Sequence, residues 1–115
     1  MNEMTQNDVV SIIATATREV FSTMLGMDIE IGEPREETVN KPQVDGVVAL
    51  VGVGGSWAGA GRLSCSASFA CQMAGALLMT PYEHVDDDVL DAVGEIANMV
   101  IGNVKTMFEE RLGPL

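Results

Sequence analysis

The sequence is poor in basic side chains, and this shortage excludes several classes of partner. It has 6 Lys and Arg residues against 17 Asp and Glu in 115 residues, which gives a formal net charge of -11. Proteins that bind DNA or RNA neutralise phosphates with Lys and Arg, and anionic membranes repel an acidic surface. We therefore expect neither a nucleic-acid partner nor a membrane partner, but binding of small molecules or protein.

Cysteine and histidine are also scarce. Cys65 and Cys71 lack the spacing of a metal-binding pair and are too few for a secreted disulfide scaffold. The single histidine, His84, stands in a polar turn without a second His or Cys beside it, which favours an exposed turn residue over a metal ligand or a triad base. The first residues do not resemble a signal peptide. These features predict a cytoplasmic protein with no metal site of its own.

Apolar periodicity in the first half of the chain predicts one helix followed by a pair of strands. Three- and four-residue spacing predicts a helix over about residues 5–25, ended by Gly26. Residues 28–31 alternate as in a short strand, and 32–45 read as a loop with at most an edge strand. Two glycine-rich apolar runs predict adjacent strands joined by a turn: 47–53 and 57–66.

The second half of the chain predicts two helices. Ser68 is expected to cap a helix that reaches about Met79 and stops before Pro81. Acidic residues at 86–88 open a third helix that runs to about Leu112. The order helix, strands, helix, helix predicts an α+β fold, and the length predicts one domain over residues 1–115. Because two or three strands cover three helices poorly, we expect further chain or a second copy to complete the sheet.

Two other features have a structural interpretation. The glycine cluster Gly52–Trp57 lacks the third glycine of a dinucleotide fingerprint and the lysine of a phosphate loop. Its glycines are typical of a bulge or of a strand that a packed helix approaches closely. The methionines at helical spacing are expected to fill the core, and this group includes Met73, Met79 and Met107.

The third helix has a wide apolar face and a narrow polar one. At about 100° per residue the apolar face contains Val93, Ile96, Ala97, Val100, Ile101, Val104, Met107 and Phe108. The opposite stripe contains Asp91, Glu95, Asn98, Gly102, Lys105 and Glu109. An ordinary solvated face is one interpretation. Against it, Asn98 is a poor helix residue, and Gly94 and Gly102 each cost about 1 kcal/mol relative to Ala. The stripe is thus shaped for close approach by another molecule.

The segment Leu90–Gly102 resembles the signature helix of the CheC/CheX/FliY phosphatases of bacterial chemotaxis. Their motif is Asp or Ser, three residues, Glu, two residues and Asn, usually with a later Gly, and it is matched by Asp91, Glu95, Asn98 and Gly102. The resemblance covers most of the chain and is closest to CheX. The first helix has Glu19 but Ser22 in place of Asn, so it carries no second copy of the motif.

The resemblance implies a CheC-like domain, with a mainly antiparallel sheet packed against long helices. This sequence departs from the family pattern, because family members continue past the third helix with further strands. A truncated chain, a second copy that supplies strands and a different architecture are the alternatives, and a homodimer is favoured because dimers are common among CheX-type members. The resemblance also implies hydrolysis of the aspartyl phosphate on a CheY-type response regulator. Asn98 would orient the attacking water, and Glu95 would dock the regulator by pairing with a lysine. Asp91 would assist docking or cap the helix, and Gly94 and Gly102 would admit the partner's loops. Mg²⁺ would belong to the regulator, with no cofactor on this chain. The alternative is a non-catalytic module that binds a regulator or a flagellar or signalling protein.

Overall fold

The computed structural model describes residues 5–33, 46–53 and 59–112. They form, in chain order, the helix α1 (Gln6–Met24), the strands β1 (Val47–Val53) and β2 (Gly59–Cys65), and the helices α2 (Ala67–Leu78) and α3 (Asp87–Leu112). This order confirms the predicted α+β fold. Most of the loop predicted over 32–45 (residues 34–45), the turn between the strands and Trp57 lie outside the described residues.

The ends of α1 follow from local hydrogen bonding. The Thr5 hydroxyl accepts a hydrogen bond from the Asp8 N–H at 3.1 Å, and the Asp8 carboxylate accepts one from the Thr5 N–H at 3.0 Å. This reciprocal capping box satisfies two backbone donors that have no partner inside the helix. At the other end Gly26 adopts a positive φ of 63°, which favours glycine, so the predicted terminator is confirmed.

The short strand predicted over residues 28–31 is wrong. This segment has no regular structure in the described chain. Met27 and Ile29 are partly buried against the core, whereas Asp28 and Glu30 are exposed. Ile31, the other apolar residue of the alternating pattern, is exposed, so the pattern does not correspond to a strand with one buried face.

The two strands pair antiparallel, with Val47 opposite Cys65 and Val53 opposite Gly59. The predicted pair of adjacent strands is therefore confirmed. At Gly61 an added Cβ would overlap the side chain of Ile101 from α3. Gly61 thus allows the close approach of a packed helix. The sequence indicated such an approach for the glycine cluster 52–57 instead, where an added Cβ at Gly52 would meet nothing within 4 Å and residues 54–57 lie outside the described chain.

Helix α2 begins two residues earlier than predicted. Its N-cap is Ser66, whose hydroxyl accepts a hydrogen bond from the Phe69 N–H at 3.1 Å, and Ser68 lies exposed in the first turn. Both serines are good N-cap residues, but β2 ends at Cys65 and the helix starts at once, which leaves Ser66 at the junction. The predicted succession of a strand and a helix in this part of the chain is therefore confirmed.

Helix α3 lies at the centre of the molecule and packs against α1, α2 and β1. The main core joins buried residues of these elements: Val20, Phe21, Val47, Ala70, Met73, Ala74, Val89, Val93, Ile96 and Val100. A second cluster joins α1 to the later turns of α3: Ile12, Ala16, Val104 and Phe108. Among the described helices, none is both long enough and apolar enough to cross a membrane.

Candidate functional site

Asp91, Glu95 and Asn98 lie on the outward face of α3. All three side chains are exposed, whereas Val93 and Ile96 on the opposite face are fully buried. Residues four and three apart share one side of a helix, and at about 1.5 Å per residue the row is about 10 Å long. The predicted division of α3 into an apolar and a polar face is therefore confirmed, and the structure brings the two carboxylates and the amide together.

No described residue hydrogen-bonds to or forms an ion pair with any of these three side chains. Other polar residues of α3 do have partners. Lys105 pairs with Glu109 at 3.7 Å, and the Asn103 amide nitrogen lies 3.4 Å from the backbone oxygen of Ala16 on α1. The row at Asp91, Glu95 and Asn98 is therefore not used by the described fold and is available to another molecule.

The glycines of α3 are not required by packing within the described chain. A Cβ added at Gly94 or at Gly102 would meet no atom within 4 Å, in contrast to the overlap at Gly61. Glycine in a helix is destabilising by about 1 kcal/mol relative to alanine. Because no contact among the described residues explains this cost, both positions are explained best by the close approach of something outside that part of the chain.

The first half of α3 is strongly negative. Asp86 accepts a hydrogen bond from the Val89 N–H at 2.9 Å, so Asp86, and not Asp91, caps the helix. The negative charge also acts on a neighbouring tyrosine: partial burial, and then the charges of Asp88 and Asp86, raise the pKa of Tyr82. The sequence has no Lys or Arg between residues 63 and 104. A partner with basic side chains is the electrostatic complement of this surface.

A shallow hollow of about 260 Å³ adjoins the row, where the C-terminal end of α2 meets α3. Leu77 and Leu78 line one side of it, and Asp91 and Glu95 line the other. The next residue, Met79, is 91% exposed, so the prediction that it fills the core is wrong, whereas Met73 is fully buried as predicted. The helix ends at Leu78, and Met79 projects beyond the packed interface. Pro81, two residues after Met79, marks the end of the helix in the sequence and is the feature that could have indicated this exposure.

The remaining titratable residues do not assemble a second centre in the described chain. His84 is exposed in a bend, and Cys65 and Cys71 are both free thiols. Burial raises the pKa of the Cys65 thiol. Within residues 5–33, 46–53 and 59–112, no group of three or more His, Cys, Asp or Glu side chains could hold a metal ion.

Comparison with known families agrees with the geometry of α3. The profile of the family described as "Chemotaxis phosphatase CheX" matches residues 47–113, which is more than half of the chain and contains the whole row. The chain belongs to the CheX family. Its resemblance to the CheC/CheX/FliY group is thereby confirmed. No curated protein sequence gives a significant match.

Solved structures show the same fold. A chemotaxis protein CheX from Desulfovibrio desulfuricans is 29% identical over 90% of this chain and 68% of its own, with a TM-score of 0.79. The CheX of Vibrio vulnificus, at 24% identity and TM-score 0.75, matches over 93% of this chain and 71% of its own. A CheC-like superfamily protein from Shewanella sp. PV-4, at 24% and 0.74, matches over 93% and 69%. The last two show the fold alone, and the CheC-like architecture is confirmed.

Proposed function

We propose that this chain is a phosphatase that hydrolyses the aspartyl phosphate of a CheY-type response regulator, in chemotaxis or another two-component pathway. The observation that carries the proposal is the row Asp91, Glu95 and Asn98, which is exposed and has no partner among the described residues. Membership of the CheX family supports it. The proposal implies that this chain is located in the cytoplasm, where its substrate would be.

The reaction needs little catalytic apparatus from this chain. An acyl phosphate is already activated, so catalysis consists mainly of placing a water molecule in line with the bond to be broken. The water oxygen attacks phosphorus, the bond between phosphorus and the carboxyl oxygen breaks, and the products are a free aspartate and inorganic phosphate. The Asn98 amide can orient this water, because it offers both a donor and an acceptor.

The other residues of the surface dock the regulator. Glu95 would pair with a lysine near the phosphorylated aspartate, and its exposed carboxylate stands one turn before Asn98. Asp91, one turn earlier, would add to the attraction for a basic surface. Gly94 and Gly102 leave open space where the partner's loops would approach.

Mg²⁺ belongs to the regulator in this proposal. It would neutralise the oxygens of the phosphoryl group, so this chain would need neither a metal nor another cofactor. The carboxylates of α3 would then face a lysine and not the metal-bound phosphate.

Phosphate release from the source organism's CheY-type regulators, phosphorylated with acetyl phosphate, tests the proposal. We expect the chain to accelerate release from at least one regulator in the presence of Mg²⁺. Saturable binding to a phosphorylated regulator without any acceleration would contradict the proposal. That outcome would establish the alternative of a non-catalytic interaction module.

A further inference from the structure

The C-terminal end of α2 displays two apolar side chains that the core does not use. Leu78 is 44% exposed and Met79 is 91% exposed. Met79 also adopts left-handed backbone angles, φ 57° and ψ 38°, and it is the only residue other than glycine with a positive φ in the described chain. Glycine is the usual residue at such a position because Cβ is crowded there. Folding therefore does not explain a methionine at residue 79.

These two residues, which we call the α2 cap, adjoin the polar row of α3. Leu78 lines the same hollow as Asp91 and Glu95, and Met79 follows Leu78 directly in the chain, so the α2 cap lies next to the acidic part of the row. On α3 itself Leu90, next to Asp91, is 47% exposed. Exposed apolar side chains thus lie beside the carboxylates, and an apolar patch bordered by polar groups is typical of a protein-binding surface.

We propose that the α2 cap is the apolar part of the surface that docks the receiver domain of the response regulator. It would contact an apolar side chain next to the basic residue that pairs with Glu95. This inference rests on the proposed function, because it assigns a second contact to the same partner. It goes further in naming a specificity element on α2, a helix that the signature motif does not include.

Charge decides which partner fits this surface. A purely apolar segment would bury the carboxylates of Asp91 and Glu95 without partners, which is unfavourable. An anionic membrane would be repelled by the same groups. A lysine that reaches the hollow brings a charged head for Glu95 and an aliphatic stem that packs on Leu78. Met79, with its flexible thioether, can adapt to the apolar side chain beside that lysine.

The variant Met79→Gly tests the inference, because its effects on folding and on docking are opposite. Glycine relieves the left-handed backbone, so the melting temperature should be unchanged or raised. The loss of the thioether should raise the Kd for the regulator, activated with Mg²⁺ and beryllofluoride, about fivefold to tenfold. Met24→Ala is the matched control, since Met24 is a half-exposed methionine at the end of α1. Its Kd should equal that of the wild type.

A second variant, Leu78→Gln, keeps the helical backbone and removes the apolar contact, so it should weaken binding as well. If both α2-cap variants bind as tightly as the wild type, while the wild type accelerates dephosphorylation, the docking inference is overturned and the proposed function stands. If the wild type neither binds nor dephosphorylates any regulator, the proposed function fails and the docking inference fails with it.

Discussion

Asn98 and Asn103 both lie on α3, but they face different surroundings. Asn103 faces α1, where its amide nitrogen lies 3.4 Å from both the Ala16 backbone oxygen and the Glu19 carboxylate. Asn98 is exposed and has no partner among the described residues. A mid-helix asparagine is unfavourable unless something uses it. Asn103 is used by the fold, and we propose that Asn98 is used by the reaction.

The glycine at 102 gives a prediction in which stability and activity change in opposite directions. Gly102→Ala should raise the free energy of unfolding by about 0.5–1 kcal/mol, because alanine favours the helix and its Cβ meets nothing. It should slow regulator dephosphorylation, because the methyl group occupies space that the partner's loops need. Urea unfolding and phosphate release measure the two effects. In the control Thr106→Ala, one turn further along, activity should be retained, and a fully active Gly102→Ala would contradict the role of this glycine.

The charge of Glu95 gives a prediction on binding. Glu95→Gln should raise the KM for the phosphorylated regulator about tenfold, because it removes one member of the proposed ion pair. The effect on KM should exceed the effect on kcat, and added salt should weaken the variant's binding less than that of the wild type. Glu110→Gln, an exposed change in the last turns of α3, is the control. An unchanged KM for Glu95→Gln would exclude the proposed docking pair.

At the scale of the elements, periodicity and turn chemistry predicted the three helices and the antiparallel strands. What they did not predict depends on tertiary contacts. Residues 28–31 alternate in polarity, but only Ile29 packs against the core, and no local signal distinguishes such a segment from a strand. Ser66 and Ser68 are equally suitable caps, and only the end of β2 decides between them. Met79 is apolar, as core residues are, but it is exposed because it lies just beyond the C-terminal end of α2.

The N-terminal cap of α1 should contribute measurably to stability. Thr5→Ala removes the acceptor of the Asp8 N–H bond and should lower the free energy of unfolding by about 0.5–2 kcal/mol. Urea denaturation followed by circular dichroism measures the change. Thr15→Ala, at an exposed position inside α1, keeps the cap and should not destabilise the protein. Equal stability of Thr5→Ala and wild type would show that the cap does not hold this helix.

The same cap should make stability depend on pH through Asp8. Hydrogen bonds from the Thr5 backbone and hydroxyl, and then the nearby Arg111, hold the pKa of Asp8 below its ordinary value of 3.8. When folding lowers the pKa of a carboxyl group, the group stabilises the protein at pH values above its ordinary pKa. This stabilisation is lost as the pH falls through the pKa of the folded state. Asp8→Asn should therefore be less stable than the wild type at neutral pH, and the difference should shrink in acid. A difference that grows as the pH falls would contradict this sign.

At the scale of the whole molecule, a groove of about 350 Å³ remains open between α1, β2 and α3. Apolar side chains from all three elements line it, among them Ile13, Leu63 and Ile101. Ile13 is exposed although it belongs to the apolar pattern of α1. In the described chain the sheet has two strands, so each has one edge without a neighbouring strand. The sequence predicts that further chain or a second copy completes the sheet, and the family resemblance favours a second copy.

Light scattering coupled to gel filtration tests this homodimer. We expect a mass twice the 12.2 kDa of one chain, because a second copy would bury the groove and a strand edge together. Ile13→Glu, which places a charge at the rim of the groove, should shift the mass toward the monomer. A monomer mass for the wild type over a wide range of concentration would rule out the homodimer.

In the proposed mechanism Asn98 places the attacking water, and one rate constant reports on this step without a contribution from docking. It is the single-turnover loss of phosphate from a Mg²⁺-loaded regulator at saturating concentrations of this chain, where binding differences no longer contribute. We predict that Asn98→Ala lowers the accelerated rate by at least about a hundredfold, because the water is no longer oriented. The matched change Asn103→Ala, on the same helix but facing α1, should keep a rate close to that of the wild type. An Asn98→Ala variant as fast as the wild type would show that Asn98 does not place the water.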